Sequence, residues 1–315
     1  MSREVTLGAA QLAEVYLDYE ETIEKDCEYI RRAGNRGIDL LVFPEYHVPG
    51  APTWFEYDGE YTRKEYYTKL YENSVTVPGP SVDRLCTAAA DAETAVVIGV
   101  NEVPDGSSGT MYNTLVFIDS DGTLLGKRRK LVPTNYERLF HGRGSGEDVR
   151  VFESSVGTVG GLLCGEHTNH LAGFATLALG EEIHAAAWPT FPERDEETRE
   201  SRVGIRTRFH ASSGKVPTVA ATGVVTPELA EAIDHPGIEP GGGASSIIGP
   251  GGEYLAGPVY DGEQLVTATV DMADRVPNQA VHDVLGHYNR FDIFQLVVDE
   301  TPDQPLQFAG DADDR

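Results

Sequence analysis

Residues 156–163 form an apolar, glycine-rich run that stops abruptly at Cys164-Gly165-Glu166. A polar segment, His167-Thr168-Asn169, follows and opens a new apolar helix. A short apolar run bounded in this way reads as a buried strand. A buried strand that delivers a thiol to its C-terminal end, just ahead of a helix N-terminus, is where an α/β fold places its chemistry. Cys164 is therefore the candidate nucleophile. The other two cysteines have an ordinary explanation as small core residues: Cys27 falls at helical spacing with Ile23, Ile30 and Ala33, and Cys86 with Val82, Leu85 and Ala89.

The rest of the chain supplies the frame for such a strand. Residues 5–12, 20–34 and 38–45 read as strand, amphipathic helix and strand, a β-α-β unit whose second strand closes on Pro44 and Glu45. A Pro- and aromatic-rich loop at 48–61 and helices at 61–71 and 80–92 follow. Strands are expected at 95–101, 111–119 and 124–129, the last two joined by a tight hairpin at Asp121-Gly122. Hairpin-linked strands are antiparallel, so the sheet is mixed. The pattern continues with a hairpin of 149–152 and 156–163, a helix at 171–179, a strand at 182–188 and one helix over 196–213. Strands at 216–222, 245–248, 254–256 and 265–270 complete it. Gly241-Gly242-Gly243 reads as a flexible turn, because it lacks the residues of a phosphate cradle. No linker or repeat divides the chain, which reads as one α/β domain over 1–300 with a large mixed sheet and an acidic tail at 301–315.

Charge narrows the function classes. Acidic residues number 51 against 25 basic ones, a net charge of −26, and only six of the basic residues are Lys. Self-repulsion of this size is tolerated when salt screens it, which points to a salty cytoplasm. No basic patch suits a nucleic acid. No apolar run approaches the roughly 20 residues that span a bilayer, and the N-terminus enters a strand pattern without a signal-peptide core. Three cysteines without paired spacing agree with a cytoplasmic location, and no His/Cys cluster has metal-ligand spacing.

Against this background Lys127-Arg128-Arg129-Lys130 stands out. Lys is scarce, and Lys130 ends a strand just before the irregular loop 133–146, which holds Glu137. Three groups thus lie at strand ends: Glu45, Lys130 and Cys164. A thiol near neutral pH needs a base, which a carboxylate provides, and an ammonium stabilises the thiolate and the charge that develops on an attacked substrate. Glu137 is placed to orient the ammonium or a water.

These residues resemble the nitrilase (carbon-nitrogen hydrolase) superfamily. Val42-Phe43-Pro44-Glu45, Arg129-Lys130-Leu131-Val132-Pro133-Thr134 with Glu137-Arg138, and Gly160-Gly161-Leu162-Leu163-Cys164-Gly165-Glu166 are similar to its three motifs. The form around Lys130 resembles the true nitrilase branch, and His184 to Pro189 and Gly286 to Asp292 resemble later nitrilase segments. The resemblance implies a four-layer α-β-β-α sandwich with mixed sheets, a homodimer or larger homo-oligomer, and a Glu-Lys-Cys triad that works without a cofactor. It implies hydrolysis of a small-molecule nitrile to the carboxylic acid and ammonia through a thioimidate and a thioester on Cys164. Gly165 is expected to lend its amide to developing charge, and Tyr46, His47, His167 and Trp188 are candidates for the pocket. Where many relatives carry Trp after the nucleophile, this chain has Gly165. Glu166 and His167 also have a structural alternative, fixing the turn after Cys164.

An amidase or carbamoyl hydrolase with the same triad remains a second reading, and a catalytically silent binding or assembly subunit a third. A cysteine protease fits less well, since no catalytic His can be picked out. The net charge yields a prediction of its own: the thermal midpoint should rise between low and molar KCl, and a midpoint indifferent to KCl contradicts it.

Overall fold

The computed structural model describes residues 3–54, 64–107, 109–191, 195–235 and 237–301. The first half of the chain runs β1 (Glu4–Gln11), α1 (Tyr19–Gly34), β2 (Leu40–Val42), α2 (Lys64–Glu72), α3 (Pro80–Ala92), β3 (Ala95–Glu102), β4 (Tyr112–Ile118) and β5 (Leu124–Arg129). The second half runs β6 (Phe152–Ser154), β7 (Gly157–Leu163), α4 (His170–Ala178), β8 (Ile183–Trp188), α5 (Glu196–Arg199) and α6 (Ile205–Gly214). It continues with β9 (Thr218–Thr222), β10 (Val224–Val225), α7 (Pro227–Ile233), β11 (Gly241–Gly242), β12 (Ser245–Ile248), β13 (Tyr254–Val259), β14 (Gln264–Asp271) and α8 (Arg275–Gln279).

The strands build two six-stranded sheets, ordered β14-β1-β2-β3-β4-β5 and β13-β12-β9-β8-β7-β6. This corrects the single large sheet read from local pattern, because periodicity assigns strands but not the sheet each one joins. Each sheet has a parallel centre, β1-β2-β3 in one and β7-β8-β9 in the other, with antiparallel edges.

Strand alternation sets the layers. On β3, Val96, Ile98 and Val100 pack in one cluster with Ile23, Ile30 and Leu85 of α1 and α3. Ala95 and Val97 point the other way and share a second cluster with Leu163, Ala185, Ala187 and Val219 of the opposite sheet. On β8, Ala186 and Trp188 face outward and meet Val203 and Ala211. The order is helices, sheet, sheet, helices, an α-β-β-α sandwich. Cys27 is buried in the first cluster, and half-buried Cys86 packs against it.

Several local expectations shift. The strand expected at 149–152 is Phe152–Ser154, preceded by a 3-10 turn at Gly146–Asp148. The helix expected over 196–213 holds a π-helical segment, Glu200–Gly204, between α5 and α6. Gly241–Gly242 is a short strand paired with Val224–Val225 rather than a free turn. The expectations for residues 55–63, the far part of the expected loop and the start of the helix after it, and for 302–315 lie outside the described residues. No helix among the described residues is long and apolar enough to cross a membrane.

Candidate active site

Three strand ends meet at one edge of the sandwich. Beyond β2, Phe43 still pairs with Val97, and the chain then turns so that the Glu45 amide donates to the Trp188 carbonyl at 3.1 Å, tying one sheet to the C-terminal end of β8 in the other. Gly99 permits this turn, because a Cβ there would collide with the Pro44 carbonyl oxygen. Lys130 follows β5 directly, its amide donating to Asn113 at 2.8 Å. Cys164 follows β7 and opens a 3-10 turn, Cys164–Thr168, with φ at +45°. A non-glycine residue in the left-handed region is uncommon and persists where its surroundings impose it.

The Lys130 ammonium is buried between two carboxylates. Its Nζ donates to Glu45 Oε1 at 2.8 Å and to both oxygens of Glu137, at 3.0 and 2.8 Å. Glu137 sits on the 3-10 turn Asn135–Leu139, where its Oε2 also accepts the Thr134 amide at 2.7 Å. Asn113 Nδ2 donates to Glu45 Oε1 at 2.6 Å, and Glu45 Oε2 is buried with no hydrogen-bond partner among the described residues. One carboxylate oxygen is anchored and the other is left available.

Electrostatics follows from one buried cation facing two buried acids. Burial pushes the Glu45 pKa up to about 7, against the pull of Lys130. Burial opposes the charge on Lys130, but Glu45 and Glu137 outweigh it and hold its pKa above the usual lysine range. Burial, then Glu45, pushes the Cys164 thiol above its ordinary value, with Lys130 opposing. The thiol is therefore not ionised in advance, and its proton has to leave during attack, which calls for a nearby base.

The basic run divides by strand alternation. Lys127 and Arg129 turn to one side and pair with Glu102, while Arg128 and Lys130 turn to the other. Buried Arg128 makes a two-pronged ion pair with Glu166 at 2.6 and 2.8 Å. Glu166 also accepts the Leu131 amide at 2.8 Å and the Leu163 amide at 2.9 Å. Burial works against its charge, but Arg128 outweighs that and holds its pKa low. Glu166 thus fastens the neighbours of Lys130 to the neighbour of Cys164. Arg128 and Asn113 were not singled out from sequence; the i, i+2 spacing of Arg128 and Lys130 on a strand is the signal for the first, and a lone amide within the apolar β4 for the second.

Cys164 and Glu137 open onto a cavity of about 410 Å³ lined also by Tyr46, Gly165, Trp188 and Phe191, with Arg202 and Arg206 on its wall. A Cβ on Gly165 would lie 3.1 Å from Thr134 Oγ1 and otherwise meet little, so a side chain there would extend into this space. Two pocket candidates lie elsewhere. His47 is fully buried against α1, its Nε2 2.8 Å from Asp26 Oδ1. His167 lies behind the nucleophile turn, its Nδ1 2.8 Å from the Cys164 carbonyl oxygen and its ring stacked 4.7 Å from Trp188.

Glu181, His184 and His210 bring ligand atoms within 4.8 Å of one another, a grouping that sequence spacing did not reveal. Those atoms already bond to each other: Glu181 Oε1 lies 2.6 Å from His184 Nδ1, and Glu181 Oε2 lies 2.9 Å from His210 Nε2. Hydrogen bonding accounts for the cluster.

Comparison with known proteins gives the class to which a chain with this fold and this group of side chains belongs. Residues 6–277 match the family described as carbon-nitrogen hydrolase. The chain is 38% identical over 317 residues to a protein called nitrilase 2 from an unknown prokaryotic organism, covering 99% of this chain and 98% of that one. It is 34% identical to an aliphatic nitrilase of Rhodococcus rhodochrous, covering 96% and 85%. Among solved structures, a carbon-nitrogen hydrolase from Helicobacter pylori superposes with a TM-score of 0.70 at 20% identity, over 92% of this chain and 97% of that one. Nit3 of Saccharomyces cerevisiae superposes with a TM-score of 0.71 at 17% identity, covering 90% and 95%. The chain belongs to the nitrilase (carbon-nitrogen hydrolase) superfamily and is a hydrolase of carbon-nitrogen bonds.

The raised pKa of Glu45 sets a pH dependence. A base must be unprotonated, so alkylation of Cys164 by iodoacetamide should rise about tenfold from pH 6 to pH 8 and then level off. A rate that keeps climbing tenfold per unit past pH 8, as for an unassisted thiol, contradicts a role for Glu45.

Proposed function

We propose that this protein is a nitrilase, converting a small nitrile to its carboxylic acid and ammonia. The observation that carries the reading is the buried Glu45–Lys130–Glu137 group beside Cys164 at one cavity. The extended similarity to nitrilases supports the nitrile over the amide.

In this mechanism the unpaired Oε2 of Glu45 takes the Cys164 proton as sulfur attacks the nitrile carbon, and that proton passes to the nitrile nitrogen to give a thioimidate. Water, deprotonated by Glu45, adds to the same carbon. The tetrahedral intermediate expels ammonia and leaves a thioester, which a second water hydrolyses to acid and free thiol. Lys130 and the Gly165 amide stabilise the charge of the tetrahedral intermediates. Glu137 holds the Lys130 ammonium through both of its oxygens and so fixes its position beside Glu45. If sulfur leaves in place of ammonia, the product is an amide. Tyr46, Trp188 and Gly165 shape the space for the substrate. None of these steps calls for a cofactor.

The reading extends to a cytoplasmic homodimer or larger homo-oligomer in a salty cell. An apolar groove of about 950 Å³ lies between α4 and residues 289–300, and Leu171, Leu179, Phe294 and Val297 are exposed there in the single chain. A second copy covering it would remove that surface from water.

Ammonia release in molar KCl from aliphatic, aryl and arylacetic nitriles, with the matching amides alongside, tests the assignment. Ammonia from nitriles but not amides is expected; release from amides alone moves the protein to the amidase reading. Cys164→Ala should lower turnover by at least about a thousandfold and leave the thermal midpoint unchanged. Activity near that of the parent ends the proposal.

A further inference from the structure

Behind the nucleophile runs a buried chain of hydrogen bonds that the chemistry above does not use. The Cys164 carbonyl oxygen lies 2.8 Å from His167 Nδ1, and His167 Nε2 lies 3.1 Å from His184 Nε2. His184 Nδ1 lies 2.6 Å from Glu181 Oε1. Glu181, His184 and His167 are all buried. Around them stand Thr176 of α4 and His210 of α6, both bonded to Glu181 Oε2, Trp188 against the His167 ring, and Arg128 paired with Glu166.

Counting protons along this chain constrains it. A carbonyl oxygen only accepts, so His167 Nδ1 carries a hydrogen. A neutral His167 then accepts at Nε2, and His184 must donate from its own Nε2. A neutral His184 has no hydrogen left for Nδ1, so the bond to Glu181 needs one more proton, shared between that imidazole and that carboxyl. Three simultaneous hydrogen bonds along the relay therefore require one proton beyond an ionised glutamate and two neutral imidazoles, which leaves it without net charge. Burial pushes the His167 pKa well down, so His167 is the neutral member. Burial, then His210, also lowers the His184 pKa to about 4, and against its own burial Glu181 is held low by His184 and His210, so the extra proton is required by the 2.6 Å contact and not by the basicity of either group.

The relay also has room made for it. A Cβ on Gly160 of β7 would collide with Glu181 Oε1, so the strand that carries the nucleophile is bare where the glutamate lies. The far end of the relay holds the carbonyl of the residue whose φ is +45°.

We propose that His167, held in one tautomer by His184 and Glu181, is a positioning residue that tethers the Cys164 carbonyl and so fixes the backbone from which the thiol is presented. This rests on Cys164 being the nucleophile. His167 does not itself line the cavity, although it backs Trp188 and Cys164, which do, so a tether acts mainly on the rate of attack and KM is read beside kcat.

Two variants separate the tether from simple space filling. In His167→Asn the side-chain amide nitrogen takes the place of Nδ1 and keeps the donor to Cys164. In His167→Gln the amide lies where Nε2 was, and that donor is lost. The readouts are kcat, KM, the thermal midpoint and the rate of Cys164 alkylation by iodoacetamide at one pH. His167→Gln should lower kcat and alkylation about tenfold, the worth of one hydrogen bond, with KM within about threefold, while His167→Asn recovers most of the loss. Equal losses in the two variants, or no loss in either, overturn the proposal. If His167→Gln does not fold, His167→Asn alone decides, since alkylation more than tenfold below the parent overturns a tether whose donor is still present. Alkylation needs no substrate, so a parent that turns over no nitrile refutes the nitrilase reading and leaves this comparison intact.

Discussion

Everything at this site depends on one ammonium placed where water cannot reach it. Lys130 is fully buried, and burying a lone cation costs several kcal/mol unless partners compensate. Two carboxylates do so, but two acids on one cation leave a surplus of negative charge. That surplus and the burial make the second ionisation costly, which is why Glu45 rests near neutrality and is fit to act as a base at cellular pH. A site with only one acid would have a stable ion pair and no base.

Such a group works only if the strand ends keep their spacing, and the two sheets alone do not guarantee that. Glu45 and Lys130 come from one sheet and Cys164 from the other. Glu166 bridges them with four bonds, two to Arg128 and one each to the Leu131 and Leu163 amides. The hydrogen bond from Glu45 to Trp188 adds a second bridge. The surface carries an excess of acid, whereas in the interior a basic residue accompanies each of these acids, so salt that screens the outside has little access to the pairs within.

The strand ends were legible in the sequence because each is a sharp local event. An apolar run broken by Pro44-Glu45, a basic run broken by Leu131-Val132-Pro133 and a glycine-rich run broken at Cys164 all announce where a buried strand stops. Relations across long separations were not legible. Periodicity showed strands but gave no means of dividing them between two sheets, since sheet membership is set by pairings such as β1 with β14 at opposite ends of the chain. The basic run hid its division because alternation counts only once residues 124–129 are known to be a strand. Nearness to Cys164 left His167 with two readings, a pocket residue or one that fixes the turn, and sequence could not choose because the direction of the ring, inward to His184, is set by the 3-10 turn.

As the proposed nucleophile, Cys164 attacks the substrate and carries it as a covalent adduct. Mass spectrometry of protein quenched in acid during steady turnover of a nitrile tests this most directly. An added mass equal to the thioester or thioimidate, confined to the peptide containing Cys164 and absent from those with Cys27 and Cys86, is the predicted result. Sustained ammonia release from the Cys164→Ser protein at the parent rate, with no adduct on any peptide, would contradict it.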